Sequence, residues 1–151
     1  MEITICVFGA ALVGKKTYVN RLITGAYSNN LQRFSHTVAT SQGPITITYI
    51  VSREPTAGCN GYILLSDGNR PETILAYGDI PSYVVVAHNK CDGPTSTNPL
   101  SISAKWNKNL LEPVITIMRT FYGDITFTEN VAVRPPVVQL VPVMTQQLQM
   151  N

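Results

Sequence analysis

Apolar residues in this chain fall into short dense runs, with polar punctuation between them. Ile3-Thr4-Ile5-Cys6-Val7-Phe8 is rich in β-branched residues and reads as a buried strand. Ile45 to Val51, Tyr62-Ile63-Leu64-Leu65 and Tyr83-Val84-Val85-Val86-Ala87 read the same way. Weaker strands are expected near His36–Thr40 and at Leu100-Ser101-Ile102. Helical spacing occupies Lys15 to Thr24, with Thr24-Gly25 as a stop. Pro71 to Tyr77 allows two turns of helix at most, with Pro71 suited to the first position. The longest helical stretch is Trp106 to Tyr122, with Leu110, Leu111, Val114, Ile115, Met118 and Phe121 on one face. Pro113 lies inside it and predicts a kink or a second start. Gly25 to Gln42 is mostly loop, as are Ser52 to Asn60 and Gly93 to Pro99, and Asp67-Gly68-Asn69 ends the third strong strand.

Nearly continuous apolar strands alternating with helices predict an α/β fold, with a mostly parallel sheet covered on both faces. Ligands of such sheets sit at the carboxyl ends of the strands. The loops after Phe8, Ala87 and Ile102 should converge there.

Composition narrows the class. The 151 residues are enough for one core, and 13% charged against 44% apolar describes a globular chain. A net charge of +2 without a basic run does not point to nucleic acid. After Met1 the chain enters a strand, with no charged start and small-residue cleavage site, so no secretory leader is expected. No apolar run reaches the ~18 residues of a membrane span. Cys6, Cys59 and Cys91 are an odd number at unrelated spacings. That predicts free thiols in an intracellular, reducing compartment and no zinc site.

The first strand, its loop and the first helix carry candidate chemistry. Gly9-Ala10-Ala11-Leu12-Val13-Gly14-Lys15 has the spacing G-x-x-x-x-G-K between a strand and a helix. Backbone N–H groups of such a loop converge on an anion, the helix N-terminus adds partial positive charge, and Lys15 adds a full one. Gly9, Val13, Gly14, Lys15, Lys16 and Thr17 are therefore the candidate phosphate-binding residues. The Ser or Thr that normally follows the Lys and holds magnesium is replaced by Lys16.

Asn89-Lys90-Cys91-Asp92 follows the fourth strong strand, and Ser103-Ala104-Lys105 follows the last short one. Behind a G-x-x-x-x-G-K loop, in this order, they resemble the Ras superfamily of small GTPases. The surroundings resemble its Ran branch: Val19 to Tyr27, Gly43-Pro44-Ile45, Gly61-Tyr62-Ile63, Ile80-Pro81, Gly123-Asp124, Val131-Ala132 and Pro135-Pro136 have similar counterparts there. The resemblance spreads over most of the chain. It implies a P-loop small-GTPase-like fold and a bound guanine nucleotide, GDP or GTP. Asp92 would accept hydrogen bonds from guanine N1–H and the exocyclic amine, a pair that adenine does not offer. Asn89 would brace the loops and reach the base. The Lys90 stem would cover one base face. Ala104 would give its N–H to the guanine carbonyl, with Ser103 and Lys105 supporting that loop. Tyr27 falls where the family places an aromatic on the base. Taken singly, Asn-Lys-Cys-Asp is also a polar turn and Tyr27 a surface aromatic.

The departures cluster at the catalytic end. An ammonium at Lys16 repels magnesium rather than ligating it. The family's Asp-x-x-Gly-Gln segment is matched only by Pro55-Thr56-Ala57-Gly58-Cys59, and a thiol does not orient an attacking water as a Gln amide does. Ala11 and Leu12 stand where the family prefers glycine. Thr37 and Thr40 are the candidates for its magnesium-sensing Thr. The first switch is shortened, the second largely absent, and helices after Pro71 and before Ser103 are trimmed or replaced.

These features imply a trimmed pseudo-GTPase, the kind of reduced copy that a virus carries. It would hold partners of small GTPases, Ran-binding proteins among them, in cytoplasm, nucleus or virion, and no catalytic or metal residue is assigned. Two other readings stay open: a structural protein that keeps the fold with an empty site, and a slow genuine GTPase. Lys16 either replaces part of the metal's charge near the β-phosphate or points to solvent. Residues 1–124 form the domain and 125–151 a tail, whose only charges are Glu129 and Arg134. Such an apolar tail should lie on its own domain or on a partner.

Overall fold

The structure, a computed structural model, describes residues 1–73, 84–90, 100–105 and 108–128. Its strands are β1 (Glu2–Phe8), β2 (Ser35–Thr40), β3 (Gly43–Ser52), β4 (Gly61–Asp67) and β5 (Val84–Asn89). Its helices are α1 (Lys15–Thr24) and α2 (Glu112–Tyr122). The strands form one mixed sheet in the order β2-β3-β1-β4-β5, so the chain is an α/β fold. β1 runs parallel to β3 and β4, and β4 to β5. β2 is antiparallel to β3, because Ser41-Gln42 between them is too short for a crossover.

Ile3, Ile5 and Val7 of β1 and Ile63 and Leu65 of β4 share a core with both helices. Tyr18, Val19 and Leu22 of α1 and Val114, Ile117 and Met118 of α2 fill it. Cys6, Phe8, Tyr62 and Leu64 point the other way, into a smaller cluster. Every residue of β4 is buried. Its first residue, Gly61, lets α2 close onto the sheet: a Cβ there would lie 2.5 Å from Ile117 Cγ2. Both described helices pack on the first face. Helical cover of the second is not seen among the described residues.

The helix expected over Trp106–Tyr122 begins only at Glu112. Pro113 sits in its first turn, where a missing N–H removes no helical bond, and thus marks a start rather than a kink. Asn109 before it is left-handed, at φ +54°. Leu110 and Leu111 are still buried, but on the approach to the helix; Trp106 lies outside the described residues. After β4 one 3₁₀ turn covers Pro71–Thr73, and the rest of the expected helix, 74–77, also lies outside them. Leu100 to Ile102 makes a single parallel bridge to β5, His88 opposite Ser101, rather than a strand.

Ile125 is buried in the core. The chain then meets the outer edge of β2, with Ser41 N donating to Thr126 O (2.8 Å) and Thr128 N to Ala39 O (3.0 Å). The remaining tail, 129–151, lies outside the described residues. Among the described residues no helix is long and apolar enough to cross a membrane.

Candidate functional site

The loop from Gly9 to Gly14 leaves β1 at the carboxyl edge of the sheet. Gly9 passes so close over β4 that a Cβ would strike the Leu65 carbonyl oxygen. Leu12 and Gly14 are left-handed (φ +66° and +97°) on either side of Val13. Alternation of this kind curls a backbone into a concavity that gathers successive N–H groups, the geometry that receives anions. Leu12 holds this conformation without being glycine, with its side chain 79% exposed. Gly14 caps α1 without a side-chain hydrogen bond, so no cap group claims the first-turn N–H groups. Lys15 Nζ turns back onto its own loop, donating to Gly9 O (2.6 Å) and Ala10 O (2.8 Å). Burial, and then the nearby Arg53 guanidinium, hold its ammonium below the ordinary lysine value.

One buried side chain joins this loop to two others. Asn89, at the end of β5, donates Nδ2 to Val13 O (2.9 Å), and its Oδ1 accepts from Ala104 N (3.3 Å). Gly14 is required here, since a Cβ would come within 2.5 Å of Asn89 Nδ2. Lys90 follows at φ +64° and reaches across to donate to Leu12 O (2.8 Å). Its ammonium also pairs with Asp67 Oδ2 (3.3 Å), and Arg70 Nε approaches the same oxygen (3.4 Å). Burial works against the Asp67 carboxylate. The Asn69 N–H (2.9 Å), Lys90 and Arg70 outweigh it and hold the carboxyl below its usual range.

These loops surround two adjoining cavities. The first, of about 280 Å³, lies between Gly14, Thr17, Tyr27, Asn69, Asn89, Lys90 and the turn Ser103-Ala104-Lys105. The second, of about 490 Å³, shares Gly14, Thr17, Tyr27 and Lys90 with it and adds Leu12, Lys15, Lys16, Asn29 and Val51. Lysines thus border the second cavity on several sides, and no carboxylate residue borders it among those described.

The expected site residues are brought together with few exceptions. Gly9 and Val13 are buried and offer only backbone. Gly14, Lys15, Lys16 and Thr17 border the cavities, with Lys16 exposed. Tyr27, half exposed, lines the first cavity together with Lys90 and Lys105. Ser103 is fully buried, its backbone paired with Lys108 in both directions. Asp92 lies outside the described residues, as does Cys91. Asp67 and Asn69 carry no motif in the sequence. Their signal is position, at the carboxyl end of the most buried strand, where ligands of such sheets lie.

The catalytic-end candidates lie elsewhere. Thr37 Oγ1 meets Thr46 Oγ1 (2.9 Å) and Thr40 Oγ1 donates to Gly43 O (2.6 Å), so both hydroxyls serve the β2–β3 pair, and neither residue borders either of these two cavities. Thr56 O accepts from Tyr62 Oη (2.8 Å), and Cys59 packs against the smaller cluster. Burial, chiefly, raises the Cys59 thiol. Among the described residues no group of His, Cys, Asp and Glu could hold a metal ion. No family model matches this chain, and no curated protein matches it.

Proposed function

We propose that this chain binds a guanine nucleotide in a P-loop, small-GTPase-like site of the Ran type, and works by holding protein partners rather than by hydrolysing GTP. The observation that carries the reading is the Asn89 bridge. It fastens the Gly-rich loop, the Asn-Lys turn and the Ser-Ala-Lys turn around one cavity. In this reading the phosphates lie over the N–H groups of Gly14 to Thr17, with Lys15 turned from its loop carbonyls toward them. The base lies between Tyr27, Lys90 and the Ala104–Lys105 turn, with Asp92 choosing guanine.

Magnesium does not fit the residues at the phosphate end. Lys16 offers an ammonium where a hydroxyl oxygen is needed, and Lys15 and Lys90 border the same space. Their charge serves the phosphates directly. Without a metal or a water-orienting amide, phosphoryl transfer lacks the parts that drive it.

The test is to heat-denature the purified protein, chromatograph what it releases, and then titrate guanine and adenine nucleotides with and without magnesium. Expected are a guanine nucleotide released, preference for guanine, indifference to magnesium and hydrolysis near background. Equal or absent binding of both bases at millimolar concentration overturns the reading and leaves a packing unit with an empty site. Magnesium-dependent phosphate release abolished by Lys15→Ala makes the chain a slow genuine GTPase instead.

A further inference from the structure

Three lysines line the larger of the two cavities: Lys15, Lys16 and Lys90. Two of them have partners within the protein. Lys90 Nζ serves Leu12 O and the Asp67 carboxylate, and Lys15 Nζ serves Gly9 O and Ala10 O. Of these partners only Asp67 brings a full negative charge, and it lines neither cavity. Lys16, exposed, makes no hydrogen bond or ion pair among the described residues. Burial first, and the Arg53 guanidinium second, hold the Lys15 ammonium below the ordinary lysine value, so a further cation lies within electrostatic reach of this end. Cations gathered in this way repel one another, and a ligand that brings negative charge relieves the repulsion.

The two cavities offer different chemistry. The smaller has the amides of Asn69 and Asn89 and the turn Ser103-Ala104-Lys105. The larger adds Lys15, Lys16 and Asn29. Gly14 and Thr17 border both, so a ligand seated in the smaller cavity and running past them enters the lysine end with its tail. Leu12 and Val51 give that end apolar wall, which screens charge less well than water does. Its side-chain oxygens, on Thr17, Tyr27 and Asn29, are uncharged and hold a hard cation poorly beside ammonium groups. Where phosphates are bound with a metal, the ion neutralises the outer ones. A lysine binds phosphate as a point charge. Fixed to the chain, it attracts a ligand more strongly with every negative charge that the ligand's tail carries.

Resting on the nucleotide reading above, we propose that Lys15 and Lys16 make the larger cavity a metal-free site for the outermost phosphate, and that the chain selects GTP over GDP and GMP by charge. Lys16 is then the specificity-determining residue. The chain distinguishes its ligands by their number of phosphates without hydrolysing them.

The test is competition binding on the full chain, with a fluorescent guanosine diphosphate as probe and EDTA present throughout. GTP should bind at least about tenfold more tightly than GDP, and GDP more tightly than GMP. The gap between GTP and GDP should shrink as salt is raised, because exposed charges are screened. Lys16→Gln removes a charge from an exposed position, so the urea midpoint should hold. The same variant should cut the GTP advantage below about threefold, with GMP binding as before. Lys105→Gln, at a lysine that lines only the smaller cavity, should leave the ratio of GTP to GDP affinity in place. Inorganic triphosphate should displace the probe, less well after Lys16→Gln. Equal affinity for GDP and GTP overturns the inference and leaves the guanine site standing. A GTP advantage that survives Lys16→Gln, or that Lys105→Gln abolishes equally, overturns it too. Inorganic triphosphate that binds through Lys16, with no preference for guanine over adenine nucleotides, upholds the phosphate site and overturns the guanine reading. Binding of neither nucleotide nor inorganic triphosphate at millimolar concentration overturns both.

Discussion

Replacing Asn89 by Ala tests whether one amide organises the cleft. The side chain is 3% exposed, and the two backbone groups it serves belong to Val13 (0%) and Ala104 (3%). Removing it strands Val13 O and Ala104 N in the interior. Each buried group left without its partner costs about 1–3 kcal/mol. Water entering from the adjoining cavity recovers part of that, so a net loss of about 2–4 kcal/mol is expected. Against a total stability of about 5–15 kcal/mol, the variant still folds. In urea, with a slope of about 2 kcal/mol per M, the midpoint should fall by about 1–2 M at unchanged slope. Asn89→Asp sharpens the test. Its carboxylate would face Val13 O, where the amide donated, so burial and that acceptor raise its pKa above the unfolded value. The defect is then largest at neutral pH and shrinks toward about pH 5, as the carboxyl gains a proton to donate. A stability for Asn89→Ala within about 0.5 kcal/mol of the unsubstituted chain would refute the reasoning, since that is the range of an indifferent surface change.

Lys16→Thr should make nucleotide binding depend on magnesium in calorimetric titrations, without restoring phosphate release, because the orienting Gln is still missing. Asp92→Asn should move preference from guanine toward xanthine nucleotides in competition binding, since the amide donates where the carboxylate accepted. Asp67 has its carboxyl held below the ordinary 3.8, so it contributes stability above that value that is lost as pH falls through its folded pKa. Asp67→Asn should therefore flatten the acid limb of a stability-against-pH curve below about pH 4. Gly61→Ala should destabilise by about 1–3 kcal/mol in urea, because its Cβ meets Ile117 on a packed helix.

The central strands were legible because each is a short apolar run with a clear stop, and Lys15–Thr24 because Gly14 and Gly25 bracket it. The start of α2 was not, because Leu110 and Leu111 continue the helical spacing while being buried from a turn. Spacing cannot tell a buried turn from a buried helix. The convergence of the three loops was readable from the strand pattern, because all three follow the carboxyl ends of expected parallel strands. The residue that fastens them was expected both to brace the loops and to reach the base; its bond to Val13 in particular was not readable, because it depends on how closely Gly14 passes. The Asp67–Lys90 pair was hidden for a related reason: its partners are far apart in sequence, and neither position carries a motif for the other.

Backbone strain separates a ligand site from a packing unit. Leu12 and Lys90 are both left-handed without being glycine, and one hydrogen bond joins them, Lys90 Nζ to Leu12 O. Each such residue costs about 1–3 kcal/mol, which the surrounding structure must offset. The contacts that offset it here are polar: the Asp67 ion pair and the Asn69 amide on Lys90 O (3.0 Å), both partly solvated, and the buried Asn89 bridge. A unit kept only for packing gains nothing from this, because apolar side chains in relaxed loops would close the same space with less strain. The strained pair instead borders the site: Lys90 lines both cavities, and Leu12 the second, of about 490 Å³. Leu12→Gly and Lys90→Gly should relieve the strain, and they separate the two accounts. If the strain serves a ligand, Lys90→Gly should weaken guanine-nucleotide binding at least tenfold, or about 1.4 kcal/mol, even though it relaxes the backbone. Leu12→Gly should raise stability by about 1 kcal/mol and leave affinity nearly unchanged. Lys90→Gly that stabilises the fold and binds nucleotide as before would mean that the strained turn serves no ligand.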